Sequence, residues 1–161
     1  MSPFYKSLVS DFQLDPSVIH LNHGSFGACP KPIFNERARW QREIEKQPVA
    51  FIEDRASDLL DWSRRELSSF VGCHKDDLVY FPNPTTAMNM VIRSLDLGPG
   101  DEVLSSNHEY GAVEKTWRFI SKKRGFLYNA IDIPIPFSDD DFLSRLKSSV
   151  NKGTKVIFLS H

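Results

Sequence analysis

Short β-prone runs alternate with amphipathic helices over the second half of this 161-residue chain, which predicts an α/β domain with a mostly parallel sheet and flanking helices. Three observations carry the prediction. The runs Glu102–Ser105, Phe126–Ile133 and Lys155–Leu159 are short and largely apolar or β-branched, as buried strands are. Apolar residues at helical spacing fill the intervals between them. The part up to about Val71 lacks this alternation and reads as helices with an extended arm.

Residues 1–20 are mixed, and Val18-Ile19-His20-Leu21 is expected to form a short strand. Asn22 to Pro30 contains Gly24, Gly27 and a closing proline, the composition of an ordered irregular loop. A helix is expected from Ile33 to Lys46, ended by Pro48. A longer one follows from Val49 to Val71, with Ile52, Ala56, Leu59, Leu60, Leu67 and Phe70 along its apolar face and Gly72 as its stop. Leu78-Val79-Tyr80-Phe81 is a further β-prone run. Pro84 to Leu95 is helical on Ala87, Met88, Val91, Ile92 and Leu95. The turn Gly98-Pro99-Gly100-Asp101 leads into the strand at Glu102. The next helix, Ala112 to Lys123, packs on Val113, Thr116, Trp117 and Ile120. The last, Asp140 to Val150, packs on Phe142, Leu143, Leu146 and Val150. Two segments result: an arm and helices over residues 1–71, and the first part of a layered α/β domain over residues 72–161. The last strand runs almost to His161 with no crossover after it, so the domain is expected to be incomplete.

Composition narrows the function classes. The chain is 40% hydrophobic and 25% charged, ordinary for a soluble globular protein, and its net charge of −1 gives no basic surface for nucleic acid or anionic membranes. No apolar run approaches the roughly 20 residues that span a bilayer. Met1 to Ser10 lacks the pattern of a secretory signal. Cys29 and Cys73 stand in no metal or redox spacing and read as free thiols in a reducing cytoplasm. Asp139-Asp140-Asp141 reads as the acidic start of a helix, and no metal site is expected. Trp40, Trp62 and Trp117 are expected in the core. Arg37 to Glu43 reads as a solvated face.

Two segments carry chemistry. Asn83 suits a helix N-cap and Pro84 its first position, so Thr85, Thr86 and Ala87 are expected to offer free backbone N–H groups at the positive end of the helix dipole. Two threonine hydroxyls add donors, and no acid lies in the turn. A phosphate would be stabilised there, although taken alone the residues read first as a capped helix with no ligand. The pattern lacks the glycines and lysine of a nucleotide P-loop and the glycine spacing of a dinucleotide fold. His108 follows the next strand. In a parallel sheet it lies at the same carboxyl edge as the threonine turn, where an imidazole can stack on a planar ring and exchange protons near neutral pH. Taken singly it reads first as a surface or capping histidine.

Four pieces stand in order: Leu21-Asn22-His23-Gly24-Ser25-Phe26-Gly27, Phe81-Pro82-Asn83-Pro84-Thr85-Thr86-Ala87, Leu97-Gly98-Pro99-Gly100-Asp101-Glu102-Val103-Leu104, and His108-Glu109-Tyr110-Gly111-Ala112-Val113. Together they resemble the class V family of enzymes dependent on pyridoxal 5′-phosphate (PLP), of fold type I, and within it the isopenicillin-N-epimerase-like group. The resemblance covers the chain from about Val18 and implies an N-terminal portion of such an enzyme: the helical arm and the first part of the large domain.

The resemblance implies PLP as cofactor. It places Thr85, Thr86 and Ala87 on the cofactor phosphate and His108 on the pyridine ring, with a role in proton transfer open to it. Asn22, His23, Gly24 and Tyr110 approach the substrate, and Ser160-His161 begins the segment near the ring hydroxyl. The resemblance places the Schiff-base lysine and the aspartate on the pyridine nitrogen beyond His161, and no lysine present suits the aldimine role. The expected activity is that of a cytoplasmic, homodimeric transferase, isomerase or lyase on an amino acid or related amine, with epimerase, aminotransferase, desulfurase and lyase outcomes open. The alternative is a non-catalytic α/β module that binds a phosphorylated ligand or a protein partner.

Overall fold

The computed structural model describes residues 8–160 and divides into two compact units, Met1–Val79 and Tyr80–His161. The first contains helix α1 (Lys31–Lys46), a helical turn at Pro48–Ala50, a π-helical turn at Phe51–Arg55 and helix α2 (Ala56–Val71). Pro30 and Pro32 frame the start of α1, and Gly72, at φ 76°, ends α2 in the left-handed conformation that glycine adopts without a Cβ clash. The predicted helix over 49–71 therefore forms, but with a widened turn. Phe51 in that turn is buried, with its ring 6.2 Å from that of Trp40.

Two expectations for this unit fail. Val18 to Leu21 forms no strand. Its neighbourhood bonds locally instead, with Val18 N–H to Asp15 O at 3.1 Å and His20 Nε2 with Phe26 O at 3.0 Å, so no ladder partner is engaged. Trp62 is 56% exposed rather than in the core, as are Ile52, Leu60 and Phe70 on the same helical run. Helical spacing reports a common face and not what covers it. Residues 1–7, part of the mixed opening segment, and His161 lie outside the described residues.

Asp61 ties α2 to the short helical turn Lys75–Asp77. It accepts from Arg65 at 2.7 Å and from Lys75. These donors, Lys75 first, hold its carboxyl at about 2, against an ordinary 3.8. The charged form is the bonded one, so its stabilisation is present above pH 3.8 and is lost as pH falls through about 2. Asp61→Asn is expected to lower the urea midpoint at pH 5, with the gap to the parent protein closing by pH 2. A gap that stays constant across that range excludes the role.

The second unit holds helix α3 (Pro84–Ser94), strand β1 (Glu102–Ser106), helix α4 (Gly111–Arg124), strand β2 (Leu127–Ile131), helix α5 (Asp139–Ser149) and strand β3 (Thr154–Ile157). The sheet is parallel, in the order β2-β1-β3. Every residue of β1 is buried, as befits a central strand covered on both faces. Its side chains alternate. Val103 joins Ile92, Val113, Trp117, Ile120 and Tyr128 beneath α3 and α4, and Leu104 joins Ile131 and Ile133, with Phe142 and Leu146 of α5 packed against them. The buried carboxylate of Glu102 is satisfied by Asn151 Nδ2 at 2.9 Å and Thr154 Oγ1 at 2.7 Å.

The run Leu78 to Phe81 is not a strand. Val79 is 67% exposed and Tyr80 47%, and the sheet engages neither. A β-prone run becomes a strand only where a neighbour accepts its backbone bonds. The α/β class itself is as the sequence predicts. Among the described residues, no helix is long and apolar enough to cross a membrane, and no cluster of His, Cys, Asp or Glu is arranged to hold a metal.

Candidate active site

The start of α3 is built by its cap. Asn83 is extended (φ −164°, ψ 161°), and its side-chain oxygen accepts the Thr86 N–H at 2.8 Å. Its carbonyl accepts the Ala87 N–H at 3.2 Å. The sequence expectation of free N–H groups at Thr85, Thr86 and Ala87 is thus corrected. Two of the three are spent in the cap and first helical turn, because the residue type that makes a good cap competes with any ligand for the same donors. What remains open among the described residues is the Thr85 N–H and the hydroxyls of Thr85, half-buried, and Thr86, exposed. No acidic side chain lies in the first turn, so the dipole potential is not cancelled there.

His108 lies in the loop between β1 and α4. Its backbone N–H donates to Ser106 Oγ at 3.2 Å, and its exposed imidazole has no hydrogen bond among the described residues. Asn107 fastens this loop to the end of β2. Its N–H donates to Ile131 O at 3.0 Å, its Nδ2 to Asp132 Oδ1 at 2.7 Å, and its Oδ1 accepts the Ile133 N–H at 3.0 Å. Tyr110 caps α4 through its carbonyl, which accepts from Val113 and Glu114, and its side chain is 63% exposed.

Helix pairing sets the threonine turn on the same edge as His108. Thr116 Oγ1 and Asn89 Oδ1, in the middles of α4 and α3, lie 3.4 Å apart. At the ends, Arg124 donates to Leu95 O at 2.5 Å and to Arg93 O at 2.7 Å. The two helices therefore run side by side in the same direction, with their N-termini at one end. That end is the carboxyl end of β1, from which the His108 loop leads into α4. The missing strand at Leu78–Phe81 is not needed for this placement. Asn89, whose Nδ2 donates to Thr85 O at 3.0 Å, was not singled out by the sequence, because a polar residue inside a helix carries no pattern of its own.

Asn22, His23 and Gly24 belong to the first unit. They sit in a loop closed at its base by the bridge between Phe12 and Pro30 and by Lys31 N–H donating to Asp11 O at 2.7 Å. Asn22 Oδ1 accepts the Ser25 N–H at 3.3 Å, and the rings of His20 and His23 meet edge-on at 4.5 Å. Ser160 follows β3 at the carboxyl edge of the sheet, and its partner in the expected ring-hydroxyl segment, His161, is outside the described residues.

Residues 46–161 match the model of the family described as aminotransferase class-V. The chain belongs to that family. Family members use PLP. Among relatives of this class V chain are the isopenicillin N epimerases of Amycolatopsis lactamdurans, 29% identical over 92% of this chain and 38% of its own length, and of Streptomyces clavuligerus, 27% identical over 92% and 37%. The hercynylcysteine sulfoxide lyase of Schizosaccharomyces pombe is 21% identical over 84% of this chain and 35% of its own. The chain thus spans less than two-fifths of the length of these relatives. Among solved structures, the cystine C–S lyase C-DES in complex with cysteine persulfide superposes with a TM-score of 0.80 at 19% identity, over 88% of this chain and 38% of that one, which establishes fold type I.

The class V edge fits the cofactor's phosphate on its own chemistry. Among the described residues, hydroxyl donors with no partner stand at an acid-free helix start, and an imidazole with no hydrogen bond lies on the same edge.

Proposed function

We propose that the full-length protein is a PLP-dependent enzyme acting on an amino acid or related amine, and that this chain supplies the phosphate and ring contacts of its cofactor. The observation that carries the reading is the shared edge: the open hydroxyls of Thr85 and Thr86 at the start of α3 and the unbonded ring of His108 before α4. Thr85 and Thr86 hold the phosphate, with the Thr85 N–H as the backbone donor. Ala87 contributes through the helix start rather than through a free N–H. His108 covers one face of the pyridine ring and can hold a proton beside it. Bound PLP supplies an electron sink for bonds at the substrate's amine carbon. Asn22, His23, Gly24 and Tyr110 meet the substrate. Relatives named as epimerases and sulfur lyases favour a reaction that breaks a bond at or next to that carbon. The exposed free thiols of Cys29 and Cys73 favour a reducing, cytoplasmic setting, and the reading includes a homodimer.

The test is the visible spectrum of the full-length protein titrated with PLP. A protein-bound band distinct from free PLP, made covalent by borohydride, is the expected result. A spectrum that stays the sum of protein and free PLP excludes the enzyme and leaves a module that binds some other phosphorylated ligand or a protein.

A further inference from the structure

The residue after His108 is held more firmly than its neighbour. The half-buried carboxylate of Glu109 accepts three hydrogen bonds: Ser160 N–H at 3.0 Å and Ser106 Oγ at 3.3 Å on Oε1, and Ser160 Oγ at 2.5 Å on Oε2. Ser160 lies just past β3, which flanks β1 on the side opposite β2. Ser106, the last residue of β1, also accepts the His108 N–H at 3.2 Å. One connected path thus runs from the His108 backbone through the Ser106 hydroxyl to Glu109, and from Glu109 to both polar groups of Ser160. On the other side, Asn107 fixes the same loop to Asp132 and Ile133 past β2. His108 sits between two clasps, one to each neighbour of the central strand.

The geometry points to Glu109 as a positioning residue that acts on bound PLP through His108, by tying the His108 loop to the end of β3. This rests on the proposal that His108 stacks on the cofactor ring. A carboxylate suits the task because Ser160 offers an N–H and an O–H from one residue, and two acceptor oxygens take both in charge-assisted bonds. Glutamine keeps one acceptor. Alanine keeps none and frees the loop on the β3 side. A stacking ring is sensitive to this, because its contact depends on where the loop holds it.

The experiment uses the full-length, PLP-loaded protein and reads PLP affinity together with the visible circular dichroism of the cofactor band, which reports the asymmetry of the ring's surroundings. Glu109→Ala is expected to weaken PLP about tenfold, the loss of one or two such bonds, and to shrink the dichroic band. Glu109→Gln is expected to recover part of both. In a His108→Ala background, Glu109→Ala is expected to change neither readout further, since its effect passes through that ring. An equal loss in both backgrounds, or none in either, overturns the inference. If Glu109→Ala fails to fold, Ser160→Ala, which removes only the hydroxyl arm, is compared in the same two backgrounds under the same criteria. Should His108→Ala itself leave both readouts unchanged, the stacking proposal falls and takes this one with it. A change in His108→Ala with none in the Glu109 and Ser160 variants overturns the positioning role alone.

Discussion

Replacing Thr85 and Thr86 together by valine is expected to cost the full-length protein most of its affinity for PLP. The structure makes the effect larger than the sequence implied. With free N–H groups at all three of Thr85, Thr86 and Ala87, the backbone alone could hold a phosphate and the hydroxyls would be secondary. The Thr86 N–H is instead taken by Asn83 Oδ1 and the Ala87 N–H by Asn83 O, so the hydroxyls carry a greater share. Hydrogen bonds to a charged group contribute roughly 1.5–3 kcal/mol each, which is about tenfold to a hundredfold per hydroxyl. Valine keeps the shape and the branched β-carbon of threonine, so the helix start is preserved and the loss reports on donors. Fluorescence titration with PLP measures it. Thr86→Val alone is expected to show part of the loss. Unchanged affinity in the double variant removes the threonine turn from the phosphate site.

The largest effect on stability is expected at Trp117. Its side chain is 1% exposed, lies between α4 and the sheet, stacks on Tyr128 at 6.3 Å and 12°, and meets Phe126 at 6.3 Å and Phe158 at 5.8 Å. Truncation leaves a cavity that Phe126 and Tyr128 at β2 and Phe158 just past β3 cannot close without moving the strands. Trp117→Ala is expected to destabilise the protein by about 3–5 kcal/mol, as measured by urea unfolding. A loss below about 1 kcal/mol contradicts this packing, since surface substitutions fall in that range. Because α4 carries the His108 loop at its start and holds α3 by Asn89 and Arg124, weakening its seat is also expected to loosen both halves of the candidate site.

Much of the second unit was legible because its signals are local. The apolar runs at Val103–Leu104 and Tyr128–Ile131 are strands, and the helices over Pro84–Ser94, Gly111–Arg124 and Asp139–Ser149 lie within a residue or so of their expected bounds. Prolines, glycines and caps mark those bounds by steric rules that act over a few residues: Asn83 and Pro84 at the start of α3, Gly125 in the left-handed conformation after α4, Ser138 before α5. The strands expected at Val18–Leu21 and Leu78–Phe81 were misread for the complementary reason. β-propensity describes a side chain's fit to a pleated surface, and whether such a surface lies alongside is not written in the run itself. Trp62 was misplaced in the same way, since a helical stripe does not name its cover.

The sequence by itself determined the class of the domain, the order of its elements from Pro84 onward, the threonine turn and His108, since each rests on spacing within a short stretch of chain. Only the tertiary structure decided which donors of that turn remain open, that α3 and α4 run side by side in one direction, and that Asn107 and Glu109 clasp the His108 loop to the strands on either side. Those facts depend on which atoms compete for one N–H and on contacts between residues up to 51 positions apart, Glu109 and Ser160 being the furthest. Periodicity along a chain carries no record of such pairings, because they are selected by packing and by the need to satisfy buried polar groups after the elements have met.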